Sequence, residues 1–314
     1  MPIPLYERLK DDARLGARMS EIVLAGVSTR RYARVLPQLA DAAGMSKSEV
    51  SRELIGASET ALAALMERKF HDLDILALWI DGIEIAGHHV LAAVGLDEQG
   101  KKHLIGLAAG SSENAQVVKD LLGSLVARGI DATKRRLFVI DGAKALRSAI
   151  REIYGQAGLI QRCRAHKVRN VLERLPDARL AAQVKAVMHA AYKLDAKEGL
   201  AKLRHQAMWL KREHKDAAAS LLEGMEESFT VNALGLTPAL VRCLATTNII
   251  ESPNRCVRDV IGKVSRWRDA DMVLRWSAAG FLEAEKSFRR IQGHKELWIL
   301  STALRGAGAE RKTA

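Results

Sequence analysis

The feature that most restricts the fold of this chain is a change of hydrophobic period along its length. Between residues 73 and 108 the apolar residues come in three short runs separated by turn residues, a pattern typical of β-strands. Strand and helix patterns then alternate up to residue 176, and beyond that point only helical periodicity remains. The sequence therefore predicts a mixed α/β sheet followed by a long all-helical part.

The pattern predicts five strands and places a helix after each of the last three. The first three strands have short connections, so they form an antiparallel meander. The element order β-β-β-α-β-α-β-α describes a mixed sheet with helices on both faces, and it is also the order of the ribonuclease-H-like fold. The predicted strands are Leu73–Ile80, His88–Leu96, Lys102–Ala108, Arg136–Ile140 and Leu159–Cys163.

The charge balance indicates the class of partner. The 314 residues include 49 Lys and Arg against 37 Asp and Glu, a net charge of +12 that indicates nucleic acid or an anionic membrane surface. Residues 134–174 hold eleven basic and three acidic side chains, and residues 251–314 hold thirteen and eight. Because both clusters flank candidate catalytic positions, they favour a nucleic-acid groove over solvated helix faces.

Several classes of protein are disfavoured. No apolar run approaches the roughly 20 residues of a transmembrane helix, and the N-terminal segment lacks the apolar stretch of a secretory signal. Three widely spaced cysteines do not make a disulfide framework, so we expect a cytoplasmic protein with no membrane partner. The glycine-rich phosphate loop, the C-x-x-C pair and the H-E-x-x-H motif are also missing from the sequence.

Residues 1–68 are predicted to form a helical region. Ser28 can cap a first helix, and Ser46 with Glu49 forms a capping box before a second, short helix. Lys47 and Arg52 lie on the exposed side of that second helix. The arrangement suggests a DNA-binding helix-turn-helix, and an ordinary helical hairpin is the alternative with the same pattern.

Two aspartates are the first candidates for a catalytic site. Asp81 and Asp141 each follow a predicted strand and precede a glycine. If the first strand lies beside the fourth, the two run parallel and end at one edge of the sheet, where open α/β sheets have their crevices. Carboxylates there would bind one or two divalent cations, whereas a plain Asp-Gly turn is the structural alternative.

A metal site of this type needs a third carboxylate, and the pattern alone does not choose it. Glu251 is favoured by its setting, because Arg255 and Arg258 lie four and seven residues further on and share its helical face. This suits a metal ligand beside a bound phosphate backbone, and an intrahelical ion pair is the alternative. The other eligible residues are Glu223, Glu226, Glu227, Glu283 and Glu285.

Cys163 and His166 form a single C-x-x-H motif. A zinc site needs about four ligands, so a buried thiol with a histidine at the start of a helix is the favoured interpretation. The neighbouring basic residues are interpreted as phosphate contacts; they are Arg162, Arg164, Lys167 and Arg169.

Four segments resemble motifs of bacterial insertion-sequence transposases of the Mutator-like IS256 type. They are LWIDG at 78–82, VIDGAKAL at 139–146, QRCRAHKVRNV at 161–171 and TTNIIESPNRCVRD at 246–259. Two more resemble the helix-turn-helix region of that family, GVSTRRYARVL at 26–36 and MSKSEVSREL at 45–54. The resemblance covers most of residues 20–300.

The resemblance implies a DNA transposase that cleaves and transfers strands. Asp81, Asp141 and Glu251 would be its DDE triad and would hold two Mg²⁺ or Mn²⁺ ions. The C-x-x-H matches a family motif of less certain role. The partners would be element-end and target DNA in the nucleoid, bound by at least a homodimer. The expected DNA contacts are Lys47, Arg52, Arg162, Lys167, Arg169, Asn254, Arg255 and Arg258.

The resemblance also implies a ribonuclease-H-like core that an all-helical insertion interrupts before the last catalytic residue. The expected parts are a DNA-binding region over 1–68, the core over 69–176 and 246–304, the insertion over 177–245 and a disordered tail over 305–314.

Two other functions stay open at this point. A DNA-binding regulator without chemistry would predict continued β-α alternation after residue 142, whereas this sequence becomes helical. A decayed transposase would fold and bind DNA without cutting it.

Overall fold

A computed structural model describes residues 47–110, 115–262, 264 and 266–306, and for residues 47–51, 53 and 54 it describes the backbone alone. Five strands form one mixed sheet: β1 (Ile75–Ile85), β2 (His88–Asp97), β3 (Lys102–Gly110), β4 (Arg136–Ile140) and β5 (Gly158–Arg162). Their order across the sheet is β3-β2-β1-β4-β5. The first three strands pair antiparallel, and β4 is parallel to both β1 and β5. The predicted mixed sheet is confirmed, and each of the five strands starts within two residues of its predicted start.

The end of β1 differs from its prediction. The strand does not stop at residue 80 but continues through Asp81 and Gly82 to Ile85, because its pairing with β2 continues to that residue. The chain reverses only at Ala86 and Gly87, which both have positive φ angles of 52° and 79°. The prediction that Asp81-Gly82 closes the strand is therefore wrong, and Asp81 lies within it.

Twelve α-helices lie within the described residues. Five belong to the part of the chain where only helical periodicity was predicted between residues 177 and 245, and after β5 the described residues contain no further strand. The helices are α1 (Lys47–Glu67), α2 (Ala115–Ala127), α3 (Lys144–Tyr154), α4 (Arg164–Leu172), α5 (Ala178–Ala191), α6 (Ala196–Leu210), α7 (Lys215–Leu222), α8 (Thr230–Ala233), α9 (Pro238–Leu244), α10 (Asn248–Ile261), α11 (Ala270–Lys286) and α12 (Leu297–Gly306).

Helices cover both faces of the sheet. Alternate strand residues point to opposite faces, so Leu78 packs with α2 and α3, whereas the neighbouring Trp79 packs with α9 to α12 and the end of α1. Both side chains are fully buried. The two-sided burial explains why β1 is almost continuously apolar up to Asp81.

Helices α4 to α7, with the chain up to Phe229, form a helical body with a core of its own, whereas the buried Val231 of α8 belongs to the core against the sheet. Val168 and Val171 of α4 pack there against Met188, Leu203 and Phe229. The chain enters this helical body after β5, and it returns to the sheet through α9 and α10.

Helix α1 contacts the sheet and the helices that cover it. Instead of a short helix, α1 has 21 residues, and its second half packs against α11 and β3 with Leu65 fully buried. Glu59 pairs with Arg275 at 3.3 Å. The predicted helix after Ser28 and the capping residue Ser46 lie outside the described residues.

Two further sequence expectations concern the end of the chain and the membrane. Residues 305 and 306 complete α12 rather than starting a disordered tail, and the rest of the tail lies outside the described residues. Within the part of the chain that the structure describes, no helix combines the length and apolar character needed to cross a membrane.

The packing of the helical body generates a prediction about stability. A Cβ on Gly199 of α6 would lie 2.2 Å from Cε1 of Phe229 and 2.7 Å from the carbonyl oxygen of Ala191. We expect Gly199→Ala to lower the free energy of unfolding by about 1–3 kcal/mol, because overpacking outweighs the better helix propensity of alanine. The matched control is Gly123→Ala in α2, where no atom lies within 4 Å of the added carbon. It should raise stability by about 0.5–1 kcal/mol. Equal effects of the two variants in denaturant titrations would contradict this packing.

Candidate active site

The two candidate aspartates lie at one edge of the sheet. The parallel pairing of β1 with β4 aligns Trp79 with Val139, and Asp81 and Asp141 each follow two residues later. Asp141 comes directly after the last residue of β4 and accepts a 2.9 Å hydrogen bond from the backbone N–H of Ala143. The structure therefore brings the two carboxylates together.

Helix α10 brings the third carboxylate to the same edge. Asn254 is buried, and its Nδ2 donates a 2.8 Å hydrogen bond to Oδ2 of Asp81. At the start of the helix, Nε1 of Trp79 donates to the carbonyl oxygen of Thr246 at 3.0 Å. These two hydrogen bonds attach α10 to β1, and Glu251 lies one helical turn before Asn254.

The ion pairs of the structure distinguish Glu251 from the other eligible glutamates. Glu251 has no Arg or Lys partner among the described residues, so the alternative of an intrahelical pair with Arg255 is wrong. Each of the other five glutamates forms an ion pair with an Arg or Lys. These pairs are Glu223–Arg162 (3.0 Å), Glu226–Arg204 (2.9 Å), Glu227–Arg147 (2.7 Å), Glu283–Lys286 (2.6 Å) and Glu285–Arg68 (2.8 Å).

The electrostatics of the edge show that the carboxylates interact. Burial and the neighbouring Asp141 raise the pKa of Asp81 from 3.8 to about 6, with a smaller contribution from Glu251. His166 and the backbone N–H of Gly82 act in the opposite direction. Asp81 and Asp141 have no Arg or Lys ion-pair partner in the described part of the chain, although the protein carries a net charge of +12. The edge is thus a concentration of negative charge in a basic protein.

A threonine hydroxyl connects Glu251 to the C-x-x-H motif. Oγ1 of the fully buried Thr247 lies 2.6 Å from Oε1 of Glu251, and 3.3 Å from both Sγ of Cys163 and Nδ1 of His166. A hydroxyl has one proton, and the short distance indicates that it donates this proton to the carboxylate. The hydroxyl oxygen can then accept from the imidazole, while the backbone N–H of Thr247 donates to Sγ of Cys163 at 3.3 Å.

The motif itself is a tightly hydrogen-bonded pair. Burial disfavours the thiolate of Cys163, but hydrogen bonds from His166 and from Thr247 outweigh burial, so the pKa of the thiol lies below its usual value. The hydrogen bond with Cys163 raises the pKa of His166 against the effect of burial, and Asp141 and Glu251 add to the increase. The carboxylates of the site therefore favour the protonated form of the imidazole, and Nδ1 of His166 lies 4.0 Å from Oε1 of Glu251.

The same motif offers ligand atoms of its own. Among the described residues, one group of three His, Cys, Asp or Glu side chains has its ligand atoms all within 4.8 Å of one another: Cys163, His166 and Glu251. The predicted buried thiol and helix-start histidine are confirmed, since Cys163 is fully buried at the residue preceding α4. The hydroxyl of Thr247 contacts all three ligand atoms, so hydrogen bonding accounts for the cluster without a metal.

Two predicted DNA contacts are wrong in this structure. Arg162 is 5% exposed and bonds to the backbone and carboxylate of Glu223. Lys167 is 1% exposed and donates to the carbonyl oxygens of Ser220 and Glu223. Arg162 attaches the end of β5, and Lys167 attaches α4, to the chain at the end of α7, so neither reaches a phosphate. Arg164, another proposed phosphate contact, is likewise buried.

The remaining predicted DNA contacts separate into two groups. Asn254 is buried against Asp81, so it belongs to the carboxylate site and does not contact a phosphate. The other side chains are exposed and have no ion-pair partner among the described residues; they are Arg52, Arg169, Arg255 and Arg258. The side chain of Lys47 lies outside the described residues.

Sequence reasoning missed Thr247 and the position of the C-x-x-H motif. A signal for the motif was present, because Cys163 directly follows β5 and the ends of neighbouring parallel strands meet at one edge. A buried threonine one helical turn before a candidate glutamate carries no comparable signal, since serine and threonine are common at helix starts.

Comparisons with known proteins identify the family of the chain. The model of a family described as "Transposase, Mutator family" matches residues 2–290. The transposase for insertion sequence element IS406 from Burkholderia multivorans is 30% identical over 296 residues, which are 90% of this chain and 74% of that protein. The transposase for IS6120 from Mycolicibacterium smegmatis is 32% identical over 50% of this chain and 51% of its own length. The transposase for IS256 in transposon Tn4001 from Staphylococcus aureus is 26% identical, over 81% and 66%. The aligned region therefore spans between half and three quarters of these relatives.

The raised pKa of Asp81 generates a prediction about stability. Because this pKa is about 6 in the folded protein and 3.8 ordinarily, the charged carboxylate destabilises the fold above pH 6. In metal-free buffer, Asp81→Asn should raise the free energy of unfolding by about 1–2 kcal/mol at pH 7.5. The advantage should shrink as the pH falls through 6 and should disappear below 3.8, where the wild-type carboxyl is neutral in both states.

The matched control is Asp97→Asn. Asp97 is a buried carboxylate of the same sheet that accepts hydrogen bonds from Gln99, Lys101 and His103, so its loss should destabilise the protein. A destabilising Asp81→Asn at pH 7.5 in urea titrations would show that the carboxylate is well stabilised, contrary to this account.

Proposed function

The chain belongs to the Mutator family of transposases, and we propose that it cleaves and transfers DNA strands as a DDE-type enzyme with a ribonuclease-H-like core. The observation that carries the proposal is the set of three carboxylates at one sheet edge, Asp81, Asp141 and Glu251, without an Arg or Lys partner in the described residues. Keeping such charges together costs stability, and a protein with 49 Lys and Arg has ample means to neutralise them. The cost is explained if the carboxylates serve chemistry.

The sheet supports the proposed core. An antiparallel meander followed by two parallel strands, in the order β3-β2-β1-β4-β5, agrees with the element order that suggested a ribonuclease-H-like fold. The helical body lies between β5 and α10, which is the place of the insertion in the family pattern.

The residues present fit a divalent cation. Carboxylate oxygens are the ligands that Mg²⁺ and Mn²⁺ prefer. Burial and then the repulsion from Asp141 raise the pKa of Asp81, and a bound cation would relieve that repulsion. Asp81, Asp141 and Glu251 would hold the ions. When bound, they would supply an activated oxygen nucleophile and stabilise the leaving 3′-oxygen of an in-line displacement at phosphorus.

The protein orients each carboxylate through a hydrogen-bond donor of its own. Asn254 holds Asp81, the backbone N–H of Ala143 holds Asp141, and the hydroxyl of Thr247 holds Glu251. Donors of this kind fix the rotamer of a metal ligand and thereby its affinity for the metal. Thr247 and Asn254 are buried, so their positions are set by packing.

DNA would approach along the exposed side of α10. Arg255 and Arg258 are exposed, lack carboxylate partners among the described residues and follow Glu251 on the same helix. An arginine fork binds phosphate oxygens in pairs, which suits positioning of the strand to be cut. Because an insertion sequence has two ends, we further propose that at least two copies of the chain act together on DNA.

Substitution of the first aspartate tests the proposal. Asp81→Asn should lower the rate of strand cleavage by more than about a hundredfold, because it removes a metal-binding charge. DNA affinity should stay within about twofold, since other groups bind the backbone. The control is Asp259→Asn, which removes the same charge from the exposed side of α10. Cleavage by Asp81→Asn at the wild-type rate in Mg²⁺ and in Mn²⁺ would refute the assignment.

The role of Thr247 is tested by a pair of substitutions. Thr247→Val keeps the shape and removes the hydroxyl, so Glu251 loses the donor that orients it. The Mg²⁺ concentration required for half-maximal cleavage should rise by about ten- to a hundredfold. Thr247→Ser retains the hydroxyl and should stay within a few fold of wild type. If Thr247→Val requires the same Mg²⁺ concentration as Thr247→Ser and the wild-type protein, the hydroxyl does not position Glu251.

A further inference from the structure

A large cavity lies beside the carboxylate site. Its volume is about 1140 Å³, and its walls come from α4 and α5 of the helical body and from α9 with the segment that leads into α10. Thr246 belongs to the lining and is bonded to the indole of Trp79. The next residue, Thr247, holds Glu251, so the lining of the cavity ends one residue away from the group that positions the third carboxylate.

The rim of the cavity is cationic. Four exposed basic side chains line it and have no carboxylate partner in the described part of the chain: Arg169, Lys185, Lys193 and Arg242. Two acidic residues also line it. One of these, Asp195, is already engaged at the start of α6, where its side chain accepts from the backbone N–H of Glu198 at 2.9 Å. The rim therefore presents a net positive charge to solvent.

The wall of the cavity adds a buried cation. Arg164 is 8% exposed, and its guanidinium lies 4.5 Å from the centre of the Tyr192 ring. Its hydrogen bonds go to neutral acceptors, the carbonyl oxygen of Ser228 at 2.9 Å and the side chain of Asn232 among them. No carboxylate among the described residues neutralises it. An uncompensated cation in a low-dielectric wall attracts an anion into the cavity.

The floor of the cavity is apolar. Its lining includes Val168, Leu172, Leu236 and Val241. A site for phosphate alone would need polar groups on all sides, whereas a cationic rim around an apolar floor suits a ligand with charged and apolar parts. Unpaired nucleotides have this chemistry, because phosphates contact cations and base faces pack on apolar or aromatic side chains.

We propose that this cavity binds unpaired nucleotides of the DNA strand that leaves the carboxylate site past Thr246. The proposal rests on the proposed function, since the carboxylates determine where the strand begins. It assigns to the helical body a direct role in holding DNA, through Lys185 of α5 and Lys193 just after it, together with Arg242 of α9. A duplex would contact the rim but would not place base faces on the floor.

Two triple variants test the proposal. The cavity variant combines Lys185→Ala, Lys193→Ala and Arg242→Ala. The control variant combines Lys197→Ala, Lys202→Ala and Lys211→Ala, which remove the same charge from exposed positions of the helical body outside the lining. The probes are a labelled single strand and the blunt duplex of the same sequence, and fluorescence anisotropy is recorded over a range of salt concentrations.

The cavity variant should raise the Kd for the single strand by at least about tenfold. The slope of log affinity against log salt should fall by about 0.7 for each phosphate that the variant no longer neutralises. The duplex should be affected less, and the control variant should stay within about twofold for both probes. Equal weakening of single-strand and duplex binding would overturn the proposal, because the cations would then bind duplex phosphates. Equal behaviour of the cavity and control variants would also overturn it.

The experiment separates this proposal from the proposed function. If the cavity variant binds normally while Asp81→Asn still abolishes cleavage, only the cavity proposal fails. If wild-type protein binds the single strand through the cavity but cleaves no DNA in Mg²⁺ or Mn²⁺, the proposed function fails, and with it the direction assigned to the strand.

Discussion

The parallel pairing of β1 with β4 is the constraint on which the rest of the site depends. It aligns two strands that are about sixty residues apart in the chain and places Asp81 beside Asp141. The same strand carries Trp79, which is fully buried and uses its indole N–H to bind the segment before α10. One strand thus determines the position of all three carboxylates, the first directly and the third through the attachment of α10.

The basic residues of the chain have two different physical roles. Arg162, Arg164 and Lys167 are buried, and they join the end of β5 and α4 to the rest of the helical body mainly through backbone carbonyl groups. Burial, with the nearby Arg162, lowers the pKa of Lys167 to about 7, which shows how far these side chains are removed from water. The exposed basic residues, among them Arg255 and Arg258, keep their charge in solvent and are available to a polyanion. The net charge of the chain therefore indicates the class of partner, whereas burial determines which basic side chains can contact that partner.

Much of the fold could be predicted because it depends on local pattern. The strand runs, the short connections and the later helical periodicity indicated the sheet and its order, and the two parallel strand ends indicated the pair of aspartates. The end of β1 could not be predicted, since Asp-Gly is a turn dipeptide in most settings and only the continued pairing with β2 keeps it extended.

The remaining features of the site depend on tertiary contacts. Six glutamates were eligible, and Glu251 is distinguished by the ion pairs that the other five form. The burial of Arg162 and Lys167 could not be predicted either, because a cluster of basic residues gives the same sequence pattern whether its side chains face solvent or pack against helices. Thr247 could not be found from pattern, since its role depends on contact between the start of α10 and the distant segment of Cys163 and His166.

The central claim is that Asp81, Asp141 and Glu251 hold divalent ions at the sheet edge. Anomalous diffraction from crystals soaked in Mn²⁺ tests it most directly, because the position of the metal is observed without reference to activity. The account predicts anomalous peaks in contact with the carboxylates of Asp81 and Asp141, and their loss in Asp81→Asn crystals treated in the same way. Peaks confined to Cys163 and His166, or crystals without an ordered ion at the sheet edge at millimolar Mn²⁺, would contradict it.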